Sequence, residues 1–279
     1  MNAVDALDPI RSLKAVGRTA AAAPAPLLLW WFGGFALLFA IYLVAYASGF
    51  ALAFTAMSGG DEPSPGMVAV LVAGGLVFVV VFGCAQFVWQ MGFAAVFEEA
   101  LRRGAAEVST GLATWRRLPA AIGSQLLVGL ITLLVYAPFF VLVALSGAIG
   151  ARSGEFPPLL VLAIPVGLAT LVAVVWLSLG FLFAIHAVAI DGCGPIEALA
   201  RSWALARGRR WRLLGFVLAT ALFVLAGLLV FCVGYVFTGA LGMLMPAELY
   251  VALTRGEGYD RYWVATGTPP GDAAAPEVP

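Results

Sequence analysis

The sequence predicts an all-α integral membrane protein, built as three hairpin repeats with six transmembrane helices and a short amphipathic basic interfacial helix before each hairpin. Three observations predict this class. First, 63% of the 279 residues are apolar and 11% are charged, against about 45–50% and about 25% in soluble domains. Second, the mean hydropathy is +1.02. Third, basic segments alternate with long uncharged stretches. A surface so poor in charge excludes an ordinary soluble protein.

The first 25 residues form a segment that we expect to be amphipathic and cytoplasmic. It lacks a continuous apolar core, which a cleavable signal peptide requires. We therefore expect the first span to act as an uncleaved signal-anchor. The charged residues of this segment are Asp5, Asp8, Arg11, Lys14 and Arg18.

Four uncharged stretches are long enough to be transmembrane helices, since about 20 apolar residues cross roughly 30 Å of hydrocarbon. We place these spans at about 26–57, 67–97, 120–150 and 158–190. The connections 58–66 and 151–157 are short and contain Gly and Pro, as tight turns do. The four spans are therefore expected to form two hairpins.

The last apolar stretch, residues 213–246, is long for one helix and short for two. An internal repeat favours two helices. Residues 100–104 read Ala-Leu-Arg-Arg-Gly after the second span, and residues 252–256 read Ala-Leu-Thr-Arg-Gly after this stretch. We therefore predict spans at about 213–232 and 236–255, with a turn near Gly234. The alternative is one long helix and five spans in total.

Lysine and arginine are concentrated on one side of the predicted bilayer, and the six-span arrangement leaves only Arg152 opposite. The positive-inside rule assigns the basic side to the cytoplasm. Fourteen arginines against one lysine, with many Ala and Gly, are typical of a GC-rich bacterial genome. We therefore expect a multi-pass protein of the bacterial cytoplasmic (inner) membrane with both termini cytoplasmic. The polytopic domain then covers residues 26–262, and a proline-rich disordered tail covers residues 263–279.

The clearest basic segment is predicted to be a helix over residues 196–210 that lies along the inner membrane surface. Its apolar face on a helical wheel contains Ile196, Leu199, Ala200, Trp203 and Ala206. Glu197 and Arg201 have the spacing of an i,i+4 ion pair. The candidate lipid or interface residues are Arg201, Trp203, Arg207, Arg209, Arg210 and Arg212. The alternative is that this segment only sets topology and packs at the interface. Weaker copies lie at residues 9–23 and 108–118.

This segment also contains the pattern A-L-x-x-S-W-x-L-x-x-G-x-x-W. The matching residues are Ala198, Leu199, Ser202, Trp203, Leu205, Gly208 and Trp211. The pattern resembles one in the membrane domain of glycerophosphodiester phosphodiesterases and in related uncharacterised bacterial multi-helix membrane proteins. The resemblance covers residues 8–262 and implies six helices. It does not imply phosphodiesterase activity, because that activity belongs to a separate soluble barrel with paired histidines, and this chain has one histidine.

Few polar residues within the spans are candidates for chemistry. Gln86, Gln90 and His186 lie in apolar surroundings, where polar groups often mark a functional site. Hydrogen bonding between helices, or to the backbone, is the alternative role for them. The three cysteines lack metal-ligand spacing, and neither a phosphate loop nor a nucleophile with its base is evident. We therefore expect no catalytic, cofactor or metal site and no enzymatic activity.

Two classes of function follow from these residues. The first is a non-enzymatic integral membrane protein that organises lipid or a membrane partner through its basic interfacial helices. Its partners would be membrane lipids, chiefly anionic ones, with a protein partner or a second copy as further options, and no nucleic acid. The alternative is a small transporter or channel with a polar site near Gln86, Gln90 and His186.

Overall fold

A computed structural model describes residues 7–58, 65–103, 105–153, 159–229 and 233–255. Within these ranges the chain forms ten α-helices and no strand. The helices are α1 (Pro9–Ala22), α2 (Pro24–Ser58), α3 (Pro65–Arg103), α4 (Val108–Ala113), α5 (Leu118–Ser153), α6 (Leu159–Phe181), α7 (Ala184–Asp191), α8 (Pro195–Ala206), α9 (Arg210–Leu229) and α10 (Val233–Arg255). A 3₁₀ turn, Thr114–Arg117, joins α4 to α5.

Six helical stretches in the described part of the chain are long and apolar enough to cross a membrane. They are Pro24–Gly49, Val68–Arg103, Val108–Ile149, Val161–Asp191, Arg210–Gly227 and Phe237–Thr254. The prediction of six such helices rather than five is therefore confirmed. The prediction of a disordered tail lies outside the described residues.

Two predicted boundaries differ from the helices of the structure. Gly234, near which the turn was predicted, lies inside α10, since α9 ends at Leu229 and α10 begins at Val233. Glycine is common inside transmembrane helices, so it is a weak turn signal there. The fourth span, predicted as one helix over 158–190, is interrupted at Leu182 and Phe183. A side chain from another helix stabilises this break, so the apolar run itself gives no sign of it.

The six long helices pack as three hairpins, α2 with α3, α5 with α6, and α9 with α10. Each hairpin is preceded in the chain by short helical structure, namely α1, α4 with its 3₁₀ turn, and α8. These short helices pack mainly on a different hairpin from the one that they lead into. Helix α4 packs on α3, α8 packs on α5 and α6, and α1 packs on α10.

The contact between α1 and α10 joins the two ends of the described chain. Asp8 accepts a hydrogen bond from the backbone N–H of Ile10 and so begins α1. Val16 is fully buried. The buried Ser12 hydroxyl donates to the carboxylate of Glu248 in α10. The first helix is therefore a packed part of the bundle.

The buried core is concentrated where the short helices meet the spans. Its largest fully buried side chains include Phe97, Phe183, Leu213, Leu249 and Tyr250. Large apolar side chains elsewhere on the spans are exposed, among them Val79, Leu134, Leu168 and Leu171. We call the packed region the basic end of the bundle, because the short helices and the termini of α3 and α9 bring its lysine and arginine residues there. It positions the site described next.

Tryptophan side chains packed against glycines hold α2, α3 and α4 together at the basic end. The Trp30 ring lies so close to two glycines that an added Cβ would come within 2.2 Å of it at Gly111 and 2.6 Å at Gly92. Its indole N–H donates to the Val108 carbonyl at 3.2 Å. The Trp89 indole in turn donates to the Trp30 carbonyl at 2.9 Å. Here glycine is needed for space, since the ring occupies the position of a side chain.

Candidate functional site

Helix α8 has clear local reasons to begin and end where it does. Pro195 occupies its first turn, where a missing N–H costs nothing, and Glu197 places a negative charge near the positive end of the helix dipole. The helix ends at Ala206, and Gly208 then adopts a left-handed φ of 75°. The prediction of one helix over 196–210 is therefore wrong at its end. The chain turns at residues 207–209, and α9 begins at Arg210.

The Ser202 hydroxyl of α8 stabilises the break between α6 and α7. It donates to the Gly180 carbonyl at 2.8 Å and accepts from the Phe183 N–H at 3.0 Å. Ser202 is fully buried. A break in a helix leaves backbone groups without intrahelical partners, and an unpaired buried group is costly. One hydroxyl thus satisfies a donor and an acceptor at the interruption.

Trp203 docks α8 on the same break. Its ring fills the space beside Gly180, where an added Cβ would lie 2.6 Å from the ring. The Arg210 guanidinium packs on the ring and also lies 5.0 Å from the centroid of Trp176. We call Gly180, Ser202, Trp203 and Arg210 the α8 joint. It fixes the angle at which the chain turns from α8 into α9.

Arg201 is part of a second polar contact beneath the joint. Its guanidinium pairs with Asp191 at 3.1 Å, and the Tyr250 hydroxyl also donates to the Asp191 carboxylate. The ion pair predicted between Glu197 and Arg201 is therefore replaced by one across the corner between α7 and α8. Arg201 also lies 3.8 Å from the Cys193 sulfur. Burial raises the pKa of the Cys193 thiol, so this group stays protonated at neutral pH.

The face of α8 that the protein buries overlaps only in part with the apolar face of the helical wheel. Ile196 is 74% exposed, and Ala200 is exposed as well. The buried residues are Ala198, Leu199, Ser202 and Ala206. Helix α8 turns this face toward α5, α6 and α7, which the wheel could not take into account.

Arg117 from the second basic segment caps α7. Its guanidinium donates to the carbonyl groups of Val188, Ala189 and Ile190 at the end of that helix. A cation at this position also complements the negative end of the helix dipole. Gly192, with φ of 70°, ends the helix in the left-handed conformation. Arg117 thus has a structural partner within the protein.

Three of the predicted interface arginines have no partner within the part of the chain that the structure describes. The side chains of Arg207, Arg209 and Arg212 form no ion pair or hydrogen bond with the described residues. Arg207 and Arg212 are exposed, and Arg209 is half-exposed. Trp211, between them, is 75% exposed and touches Trp176 edge-on with 5.6 Å between ring centroids. The structure thus divides the predicted set. Arg201, Trp203 and Arg210 contact other described side chains, while Arg207, Arg209 and Arg212 form no ion pair or hydrogen bond with them.

The three polar intramembrane candidates are not gathered at one cavity. Gln86 lines a cavity of about 540 Å³ between the first and third hairpins, and Gln90 is not among its lining residues. His186 is buried on α7, where its ring lies 6.2 Å from that of Tyr250. Among the described residues, Gln86 therefore provides a polar contact at the cavity, but the three candidate side chains do not line one polar pathway through the bundle.

Sequence reasoning missed the partners of the candidate residues. It gave no role to Asp191 beside Arg201, or to Arg117 at the end of α7. Ser202 was part of the quoted pattern, and Tyr250 lies in the apolar run before the second copy of the repeat. Both positions could have been singled out as polar groups inside otherwise apolar segments.

Comparison with known proteins identifies one matching family. A family model described as a domain of unknown function (DUF7847) matches residues 35–257. No curated protein and no solved structure matches the chain. The resemblance to the membrane domain of glycerophosphodiester phosphodiesterases stays a prediction.

Proposed function

The chain belongs to the family described as a domain of unknown function (DUF7847), and we propose from its own side chains that it is a non-enzymatic membrane protein that binds anionic lipid headgroups. One observation carries this proposal. Arg207, Arg209 and Arg212 lack partners among the described residues, and they flank the exposed Trp211 where the chain enters its last hairpin.

Position and chemistry both favour a headgroup as the missing partner. A candidate span begins at Arg210, so the three arginines lie at the boundary between the bundle end and the membrane. Tryptophan prefers this depth. Guanidinium groups bind phosphate oxygens in a forked geometry, and each basic residue near an anionic membrane gains about 1 kcal/mol. A protein partner or a second copy of the chain would compete for the same three side chains.

The proposed sidedness follows from the same charges. Among the described residues, the basic end contains twelve of the thirteen arginines, with Arg255 at the end of α10 included, and the single lysine. By the positive-inside rule this end lies in the cytoplasm, and both termini lie there too. The membrane is then the bacterial cytoplasmic membrane, whose inner leaflet supplies the anionic lipid.

We also propose that the three hairpin units are repeats, each led by a basic interfacial helix. The first and third leading helices support this reading, because each begins with proline and buries its fourth and eighth residues. These residues are Pro9, Ser12 and Val16 in α1, and Pro195, Ala198 and Ser202 in α8. Each leading helix packs on the hairpin of another unit. The first and third units are thereby in contact through α1 and α10.

Lipid retention tests the proposed function. The triple variant Arg207→Gln, Arg209→Gln, Arg212→Gln should retain less phosphatidylglycerol and cardiolipin after purification, with a loss of up to about 3 kcal/mol at about 1 kcal/mol per side chain. The matched control replaces Lys14, Arg103 and Arg116 with Gln. It removes the same charge from α1, the end of α3 and the 3₁₀ turn before α5, and it should lose less lipid.

A transporter with a polar site at His186 is the competing hypothesis. If the protein binds lipid as proposed, His186→Gln should leave lipid retention unchanged, because His186 packs against Tyr250 inside the bundle. If the triple variant retains lipid normally while His186→Gln abolishes a measurable flux across vesicles, the lipid-binding proposal is wrong and transport takes its place.

A further inference from the structure

We propose that the packing unit of this fold is a hairpin followed by a short closing helix, and that α1 is the closing helix of the third unit although it begins the chain. Helix α4 packs on α3, at the end of the first hairpin, and α8 packs on α6 and α7, at the end of the second. Helix α1 packs on α10, at the end of the third. The packing unit is therefore shifted by one helix from the sequence repeat. This proposal rests on packing and does not depend on lipid binding.

The first two closing helices directly follow the hairpins on which they pack. Helix α3 ends at Arg103 and α4 begins at Val108, while α7 ends at Asp191 and α8 begins at Pro195. Connections this short are usual between neighbouring helices of a bundle. Helix α1 has no such local reason to meet α10, because nearly the whole described chain separates the two helices. Their contact therefore has to come from matching surfaces.

A carboxylate near the end of each of the first two units bonds to the closing helix. Glu99 of α3 accepts a hydrogen bond from the Thr110 hydroxyl of α4. Asp191 of α7 forms an ion pair with Arg201 of α8 at 3.1 Å. Both carboxylates are largely buried in the bundle, and burying a carboxylate is costly unless it is paired. The closing helix thus supplies a donor to a carboxylate of the hairpin that precedes it.

Helix α1 makes the same kind of contact with the third unit. Glu248 of α10 is 7% exposed and accepts from the Ser12 hydroxyl of α1. Like the other two carboxylates, Glu248 lies within about two helical turns of the end of its helix. Helix α1 is therefore placed on α10 as α4 is placed on α3 and α8 on α7.

The buried face of α1 also suits a closing helix. Ser12, Ala15, Val16 and Thr19 are all buried, and their spacing of three and four residues puts them on one helical face. Helix α1 packs more on α10 than on α2, the helix that follows it in the chain. Because the first helix completes the last unit, the three units close into a ring.

Circular permutation of the full chain tests this assignment. The first permutant runs from residue 23 to 279 and continues with residues 1–22, so that α1 follows α10 as α4 follows α3. The second runs from residue 105 to 279 and continues with residues 1–104, which keeps α1 ahead of α2 and makes α4 the N-terminal helix. Each carries an added initiating methionine. Both should have a thermal midpoint of unfolding within a few degrees of that of the native order.

Matched substitutions show whether α1 occupies the same position in each chain order. Val16→Asn places a polar group at a fully buried residue and should lower the midpoint by several degrees in the native order and in both permutants. Ile10→Asn, at a residue of α1 that is 63% exposed, should leave the midpoint unchanged in all three proteins.

A double-mutant cycle shows whether that position is on α10. The midpoint shifts of Ser12→Ala and Glu248→Gln should be less than additive in every chain order, because both variants break the same contact. The control cycle pairs Glu248→Gln with Ser109→Ala, whose exposed hydroxyl bonds to Glu107. The shifts of this control pair should add.

Two results would overturn the proposal. One is a midpoint far below that of the native order in both permutants, or insensitivity of both to Val16→Asn. The other is additivity of Ser12→Ala and Glu248→Gln in the native order, which needs no permuted chain to fold. A native midpoint in either permutant, with Val16→Asn still harmful in it and the Ser12–Glu248 coupling retained, would uphold the assignment of α1 to the third unit.

Discussion

The Arg210 guanidinium lies 3.9 Å from the centroid of the Trp203 ring. Arg210 therefore stabilises the α8 joint, while Arg212, two residues later, has no partner among the described residues. Equal charges at nearly the same depth thus have different roles. Substitutions at these two arginines can therefore separate contacts within the bundle from contacts with lipid.

Arg210→Gln should lower stability more than it lowers lipid retention. Loss of a cation–π contact on two tryptophans should reduce the free energy of unfolding by about 1–2 kcal/mol. The matched variant Arg212→Gln should show the reverse, with stability nearly unchanged and less retained anionic lipid. Denaturation in detergent and mass spectrometry of bound lipid measure the two effects. Equal lipid loss with unchanged stability in both variants would contradict the division.

Ser202→Ala should loosen the break between α6 and α7. It removes the acceptor for the Phe183 N–H and the donor to Gly180, at a cost of about 1–3 kcal/mol. Ser109→Ala is the control, because that exposed serine bonds only to nearby Glu107. A lower midpoint of unfolding for Ser202→Ala alone is the expected result.

Cys193 gives a local and pH-dependent readout of the same region. The thiolate is the reactive form, and burial raises the pKa of this thiol. Alkylation should therefore be slow at neutral pH and should accelerate only above the pH at which an ordinary thiol ionises. Ser202→Ala should speed alkylation at fixed pH by exposing the sulfur, with Cys84→Ser and Cys232→Ser together as the background in both proteins. An unchanged rate would mean that the joint does not cover Cys193.

Gly111→Ala should destabilise the bundle although alanine is the better helix former. The new Cβ would lie 2.2 Å from the Trp30 ring, and such overpacking costs about 1–3 kcal/mol. Gly129→Ala is the matched control, since no atom lies within 4 Å of an added Cβ there. This control should be neutral or slightly stabilising. Thermal unfolding of the two variants checks the difference.

Both termini should report the same side of the membrane. Reporters that are active on only one side, fused after residue 19 and after residue 265, should both give cytoplasmic signals. The arginine bias at the basic end is the physical reason. Opposite signals would place an odd number of spans between the two fusion points.

The long helices could be predicted from the sequence because each depends on a local property, an uncharged run long enough to cross hydrocarbon. The start of α8 could also be predicted from local residues, but its end could not: the predicted helix runs to residue 210, whereas α8 ends at Ala206 before Gly208. The break at Phe183 could not be predicted either, because its stabilising hydroxyl comes from Ser202, nineteen residues later.

The same distinction applies to the candidate site. A helical wheel identifies residues four apart, so it pairs Arg201 with Glu197. The observed partner, Asp191, lies across a corner between two helices. The wheel identifies an apolar face but not the residues that neighbouring helices cover, and Ile196 of that face remains exposed in the bundle. The sequence predicts Arg207, Arg209 and Arg212 as interface residues, but it does not separate them from the other candidate arginines, which have partners in the bundle.

The contact between Ser12 and Glu248 has a consequence for the order of biosynthesis. The ribosome makes α1 before α10, so the Glu248 carboxylate that accepts from the buried Ser12 does not exist until the last of these helices is translated. Until then α1 lacks its contact with α10. A nascent chain arrested before Val233 should leave α1 open to proteolysis, whereas a chain released after Arg255 should protect it. Protection of α1 from proteolysis would therefore report that α10 has been made and has packed.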